Sequence, residues 1–96
     1  MGVYKISEQG DEDIEKMYEY GIETFGLKQA QDYFFQVHDL FQDLADNSHI
    51  GRDVSEYKPY LKRFNFKAHS IFYISTDTGV LIVRVLGKRM DFGQHL

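Results

Sequence analysis

The spacing of apolar residues changes from a helical period to a strand period half-way along the chain. Over residues 11–46 apolar side chains recur every three or four positions, whereas beyond residue 60 they alternate with polar ones. A chain of 96 residues has room for one small core. We therefore predict an α+β fold in a single domain over residues 1–96.

Two helices joined by a very short turn account for the first half. Gly26 lies between them and suits a left-handed stop at the end of the first helix. Because the turn is short, the helices are predicted to form an antiparallel hairpin. The first apolar stripe is Ile14, Met17, Tyr18, Gly21, Ile22 and Phe25, and the second is Ala30, Tyr33, Phe34, Val37, Phe41 and Leu44.

Strands are predicted at the start of the chain and throughout its second half. The region 51–60, with the only proline at Pro59, is predicted to be a loop. Thr76–Gly79 has the composition of a hairpin turn, and the apolar run after it resembles a central strand with both faces covered. The order is thus βααβββ, with a mostly antiparallel sheet and strands at 3–7, 62–67, 70–75 and 80–86.

The two halves of the chain carry opposite charge. Residues 1–48 hold three Lys/Arg and eleven Asp/Glu, a net charge of −8, and residues 49–96 have a net charge of +4. The total of −4 argues against a general nucleic-acid coat, and no sequence-specific nucleic-acid partner is predicted. The separation instead predicts two faces with different partners.

The sequence lacks the motifs of common catalytic and cofactor sites. It has no cysteine, and its four histidines do not follow the spacing of a zinc site, so no metal, cofactor or catalytic residue is assigned. Asp39, Asp43 and Asp46 share one helix face, which fits a solvated surface better than a paired-acid site. The aliphatic run 80–83 stops at Arg84, so we expect no membrane span and a cytoplasmic protein.

Basic residues gather on and after the last strands. Arg84 interrupts an apolar strand, so its charge must reach solvent or find a partner. One interpretation is a solvated sheet face with a snorkelling arginine, and the other is a face that binds an anion or a partner. The tail from Lys88 mixes charge with Met90, Phe92 and Leu96, which suits either a protein contact or packing against the core.

In their order and spacing, these segments resemble the RelE/ParE superfamily, and specifically the ParE-type toxins of plasmid-stabilisation toxin–antitoxin systems. The resemblance covers nearly the whole chain, with two departures: Gly87 stands where the family usually has a histidine, and Ser48 lies near the place of a common proline. The segments that carry it are Asp13-Ile14 and the aromatic-rich helix after it, Gly26 with Ala30 and Tyr33, Leu44-Ala45 with Gly51, Tyr60, His69 with Ile71-Phe72-Tyr73, Ile82 to Leu86, and Arg89-Met90-Asp91.

The resemblance implies a βααβββ fold and a toxin that binds DNA gyrase, stalls replication and is neutralised by a cognate ParD-type antitoxin. Under it, the target contacts are assigned to Arg89, Met90, Asp91 and Phe92, with Arg84 and Lys88 nearby. The abundance of aromatic residues suggests Tyr18, Tyr33 and Tyr57 for the antitoxin surface.

Two alternatives remain open at this point. The RelE branch cleaves mRNA in the ribosome, but a net charge of −4 suits binding among ribosomal phosphates poorly. Cleavage would also need an acid or base beside Arg84 or Arg89, where the tail offers Phe92 and only later His95. A non-toxic module that only binds its antitoxin is the other alternative, and Gly87 favours it. A binding toxin rather than an enzyme is the preferred interpretation, and the oligomeric state is left open.

Overall fold

The computed structural model describes residues 2–96 as a helical hairpin packed on a five-stranded sheet. None of the helices in this range is long and apolar enough to cross a membrane. In chain order the elements are β1 (Val3–Ile6), α1 (Glu8–Phe25), α2 (Leu27–Asp46), a 3₁₀ turn at Ser48–Ile50, β2 (Arg52–Asp53), β3 (Lys62–Phe66), β4 (His69–Ser75), β5 (Gly79–Gly87) and α3 (Phe92–His95).

The strands are arranged in the order β1-β5-β4-β3-β2. β1 pairs with β5 in parallel, and the other three pairs are antiparallel, which confirms a mostly antiparallel sheet. The predicted turn is also present, because the Thr76 N–H donates to the Gly79 carbonyl at 2.9 Å. β5 lies between β1 and β4, as expected for the most apolar strand.

Local capping chemistry sets the bounds of the helical hairpin. The Ser7 hydroxyl accepts the Gly10 N–H at 2.9 Å, so α1 begins at Glu8, before the predicted start near Asp11. Gly26 has φ of 93°, a conformation that glycine adopts without a side-chain penalty, and it ends α1 immediately before α2 starts. The short turn predicted from the sequence is therefore confirmed.

Each face of the sheet is covered by its own apolar cluster. The helices pack on one face around Phe41, Leu44, Ile71 and Tyr73. On the other face, which we call the outer face, Val54, Leu61, Phe72 and Leu86 are buried, with Phe92 and Leu96 of the C-terminal tail packed against them. The tail thus forms part of the packing of the sheet.

Two short elements were not predicted. β2 lies inside the predicted loop and pairs with β3 through Arg52 opposite Arg63 and Asp53 opposite Lys62. α3 forms in the tail, where Asp91 caps it by accepting the Gly93 N–H at 3.1 Å. Both are too short to produce a recognisable hydrophobic period, since two to four residues do not complete one repeat of a pattern.

Candidate functional site

The C-terminal segment leaves the sheet through a tight turn at the end of β5. The Lys88 N–H donates to the Ala68 carbonyl at 3.0 Å, and the Met90 N–H donates to the Gly87 carbonyl at 3.0 Å. These bonds fix the backbone while the side chains of Lys88, Arg89 and Met90 remain exposed. We call residues 88–92 the tail segment, which includes five of the six residues assigned to target contact from the sequence.

The end of the tail segment is attached to the outer face of the sheet. The Phe92 ring contacts Phe72 edge to face, with ring centroids 5.0 Å apart, and the Arg63 guanidinium lies 5.5 Å from the Phe92 centroid. Leu96 packs against the same cluster. Phe92 is therefore half-buried and anchors the tail, whereas its neighbours on the N-terminal side face solvent.

Arg84, the sixth residue, lies apart from the tail segment and is paired. Its Nε and Nη2 donate to the two carboxylate oxygens of Asp13 at 2.7 and 3.0 Å, and its Nη1 donates to the His95 carbonyl at 2.8 Å. The hydrogen bonds to Asp13 raise the pKa of Arg84. The charge that interrupts β5 has thus found a partner on α1, 71 positions earlier in the chain.

Gly87 occupies the position where the resembling family usually has histidine. A Cβ atom built on Gly87 would lie 3.7 Å from Cγ and Sδ of Met90, which is an ordinary van der Waals separation. The backbone here therefore leaves room for a side chain next to the tail segment.

A groove of about 530 Å³ opens where the helical hairpin meets the turn between β3 and β4. Tyr18 and Tyr33 both line it, and Tyr20, also in its wall, is 64% exposed. Gly21 keeps the two helices close at this point, because a Cβ there would lie 3.2 Å from that of Ala30. We call this feature the hairpin groove; its other lining residues are Met17, Phe25, Gln29, Asp32, Gln36, Lys67, Ala68 and His69.

A polar pair lies within the wall of the hairpin groove. The Tyr33 hydroxyl and Nδ1 of His69 are 2.7 Å apart, and burial raises the pKa of Tyr33 and lowers that of His69. The Lys67 ammonium hydrogen-bonds Gln36 and lies 5.9 Å from the Tyr33 ring centroid. The groove thus has an apolar floor with a neutral histidine and a cation at one side.

Tyr57, the third residue assigned to the antitoxin surface, does not line the hairpin groove. It lies on the loop between β2 and β3, where the buried residues Val54 and Leu61 hold the loop ends and the Val54 N–H donates to the Leu61 carbonyl at 3.0 Å. Tyr60 on the same loop is 82% exposed with φ of 66°. The structure therefore brings together two of the three tyrosines.

Sequence reasoning missed the remaining groove residues and the role of Asp13. Gly21 was a usable signal, since a glycine inside an apolar helical stripe often marks close helix packing. Asp13 gave no signal beyond its place in the family resemblance, because its partner is remote in sequence. Within residues 2–96, no group of three histidine or acidic side chains is arranged to hold a metal ion.

Comparison with known proteins agrees with this architecture. The family model described as the ParE toxin of the type II toxin–antitoxin system, parDE, matches residues 4–92. The chain belongs to the ParE toxin family. The match includes β1, the helical hairpin, the sheet and the tail segment, and it confirms the family and the toxin function indicated by the sequence.

Individual relatives give the same result. Toxin ParE1 of Mycobacterium tuberculosis is 29% identical over 94 residues, covering 97% of this chain and 96% of the relative. Toxin ParE3 of Caulobacter vibrioides is 27% identical over 84 residues, covering 88% of this chain and 84% of the relative. A solved structure titled the chromosomal ParDE TA system from P. aeruginosa superposes with a TM-score of 0.75 at 15% identity, over 91% of this chain and 96% of that chain, which supports the fold.

Proposed function

We propose that this ParE-family toxin binds DNA gyrase and thereby blocks replication, with the tail segment as its contact. The observation that carries the proposal is the presentation of the segment, in which Lys88, Arg89 and Met90 are exposed while their backbone is held by hydrogen bonds to the sheet region. Arginine and large apolar side chains dominate binding at many protein interfaces. A gyrase target also implies action in the cytoplasm.

The charge of the tail segment is consistent with this target. Lys88 and Arg89 belong to the half of the chain with net charge +4, and a complex of gyrase with DNA is anionic along the nucleic acid. Asp91 contributes differently, because its carboxylate caps α3. Lys88, Arg89 and Met90 are therefore the informative positions for testing direct contact.

The ribosome-dependent nuclease has less support. Acid–base cleavage needs a proton-transferring group beside the cationic residues of the site. The ring of Phe92 lies over Arg63 on the outer face, and Arg84 is occupied by Asp13. Gly87 supplies no imidazole at the position where the family usually has one.

A supercoiling assay with purified gyrase tests the proposal. Micromolar protein should inhibit supercoiling or trap cleaved DNA, and Arg89→Ala or Met90→Ala should raise the concentration for half-inhibition about tenfold, as expected for an interface hot spot. Lys16→Ala is the matched control, because Lys16 is an exposed cation on α1. Absence of inhibition by the wild type would overturn the gyrase proposal, and site-specific cuts in translated mRNA, detected by primer extension, would favour the nuclease.

Expression without the antitoxin gene separates a toxin from a binding module that has lost toxicity. We expect the wild type to slow growth. Gly87→His places the usual family residue where the backbone has room for it, so a harmless wild type and a toxic Gly87→His variant would show that Gly87 inactivates this copy.

We further propose that a ParD-type antitoxin places an amphipathic helix in the hairpin groove. The matching structure from P. aeruginosa is titled a ParDE system, and the groove here offers exposed aromatic side chains with few polar groups. Helix-in-groove binding uses apolar anchors spaced three or four residues apart, which suits a trough along the hairpin.

Binding of the antitoxin encoded beside this gene provides the test. Tyr20→Lys changes an exposed groove residue and should weaken the complex at least tenfold, whereas Tyr60→Ser changes an exposed tyrosine on the β2–β3 loop and should not. Tyr57→Ser decides whether the predicted third tyrosine belongs to the same surface. Unchanged affinity of the Tyr20→Lys variant would exclude the groove as the binding site.

A further inference from the structure

The edge of β5 changes partner at the point where β1 ends. Ile6, the last residue of β1, is opposite Ile82, but β5 continues to Gly87. A register shift follows at once, because Tyr73 of β4 pairs with Ile82 while Phe72 pairs with Arg84. A bulge of this kind re-aims the side chains beside it.

The beginning of α1 takes the place of β1 along this edge. The Ser7 N–H donates to the Ile82 carbonyl at 2.9 Å, and the Ser7 hydroxyl donates to the Val83 carbonyl at 2.7 Å. Asp13 then accepts the Val85 N–H at 3.0 Å through the same oxygen that accepts Nε of Arg84. The carboxylate of Asp13 therefore completes the hydrogen bonding of the strand edge and orients Arg84.

The Asp13–Arg84 pair is shielded and leaves the guanidinium little capacity for another ligand. Side-chain exposure is 14% for Arg84 and 10% for Asp13. Two nitrogens of Arg84 face Asp13, and the third binds the His95 carbonyl at 2.8 Å. A bidentate pair of this geometry depends on the planar fork of arginine, which lysine does not reproduce.

The tail depends on such tertiary contacts for its order. α3 has four residues, and isolated helices of this length are not stable in water. It is held by Phe92 against Phe72 and by His95 against Arg84. Because the tail segment lies between Gly87 and α3, loss of either anchor releases one end of it.

We infer that Arg84 is a positioning residue, and that Asp13 acts through it to hold the tail segment in its binding conformation. This inference rests on the proposed function, because it assigns to the pair the presentation of the proposed gyrase contact. It also separates Arg84 from Lys88 and Arg89, which have solvent-facing charges.

The test combines two variants with two measurements. Asp13→Asn removes the charge and keeps the side-chain shape, whereas Arg84→Lys keeps the charge and removes the bidentate geometry. We expect both to raise the concentration for half-inhibition of gyrase about tenfold, and the double variant to be no worse than either alone, since both act through one contact. Asp43→Asn, an exposed acid on α2, is the control.

Hydrogen exchange provides the readout that a direct contact or a general loss of stability would not give. The Leu96 N–H, which donates to the Phe92 carbonyl at 2.9 Å, should exchange at least tenfold faster in both variants, with exchange in the α2 core unchanged. Should Asp13→Asn fail to fold, Asp13→Glu keeps the charge and displaces the carboxylate, and the same change in exchange is expected.

The outcomes are distinguishable. Full inhibition by Arg84→Lys, with Asp13→Asn also fully active, would overturn the inference and make the Arg84 charge a direct contact. Wild-type levels of tail exchange in both variants would overturn it independently of any gyrase result. A wild type that does not inhibit gyrase, combined with faster tail exchange in the variants, would refute the proposed target while retaining the positioning role.

Discussion

Removing one buried hydroxyl, in Tyr73→Phe, tests how the helical hairpin is joined to the sheet. The Tyr73 side chain on β4 is 0% exposed, and its hydroxyl binds the segment that connects α2 to β2. It accepts the Gly51 N–H at 2.8 Å and donates to the Ser48 carbonyl at 2.8 Å. The substitution leaves both backbone groups without this partner and keeps the ring.

The expected loss follows from these two bonds. Each intramolecular hydrogen bond contributes about 0.5–1.5 kcal/mol net, so the two together stabilise the fold by about 2 kcal/mol. Ser48 and Gly51 are half-buried, so water can reach the freed groups in part, and the full penalty for a buried unsatisfied group does not apply. For a domain of this size, about 2 kcal/mol corresponds to a fall in Tm of about 10 °C.

Urea unfolding of the wild type and the variant measures the difference directly. Tyr20→Phe is the control, because it removes a hydroxyl from an exposed tyrosine and should change the free energy of unfolding by less than about 0.5 kcal/mol. Exchange of the Gly51 amide should accelerate with the global loss of stability or beyond it. A loss below about 0.5 kcal/mol for Tyr73→Phe, at unchanged m-value, would refute the reasoning.

Gly51→Ala provides a second, independent measurement of the same contact. A Cβ at this position would meet the Tyr73 hydroxyl and lie 2.8 Å from Cε1 and Cζ of the ring, so the ring or the loop must shift. Overpacking of this kind costs about 1–3 kcal/mol. Because the hydroxyl is the nearest atom, Gly51→Ala should cost less in the Tyr73→Phe background, and additive effects would contradict the contact.

Three further predictions concern other parts of the fold. Burial lowers the pKa of His69, so the unfolded chain binds its proton more readily; stability should fall as the pH drops below about 6.5, by about 1.4 kcal/mol for each unit of the pKa shift, and His69→Gln should flatten a urea series between pH 5 and 8. Tyr60→Asn should stabilise the protein by about 0.5–1 kcal/mol in thermal unfolding, because asparagine tolerates the positive φ that this exposed tyrosine adopts, and a lower Tm would contradict this. Gly79→Ala should cost at least about 2 kcal/mol, since its Cβ would lie 2.6 Å from the Val3 backbone nitrogen in the β1–β5 pair, and wild-type stability would argue against that pairing.

The elements with a full hydrophobic period could be predicted from the sequence. Both long helices and the strands of the second half were found because apolar positions repeat over many residues in each. The stop at Gly26 was found because a glycine between two apolar stripes has a specific conformational use. Local chemistry was therefore sufficient wherever an element is long enough to repeat its pattern.

Features that depend on remote partners could not be predicted. The parallel pairing of β1 with β5 joins the two ends of the chain, and the partner of Arg84 is a single aspartate among eleven acidic residues in the first half. The sequence required only that the Arg84 charge find a partner or reach solvent. The hairpin groove likewise depends on Lys67 and His69, which the fold brings beside the helices.

Helix α1 contributes to both proposed binding surfaces through different residues. Asp13 orients Arg84 at the strand edge, and Met17 and Tyr18, about one turn later, line the hairpin groove. The opposite charges of the two halves therefore do not define two separate faces, because an acidic residue of the first half is needed to present the basic tail of the second. It follows that an antitoxin bound in the groove would lie one helical turn from the residue that holds the tail segment, without having to cover that segment.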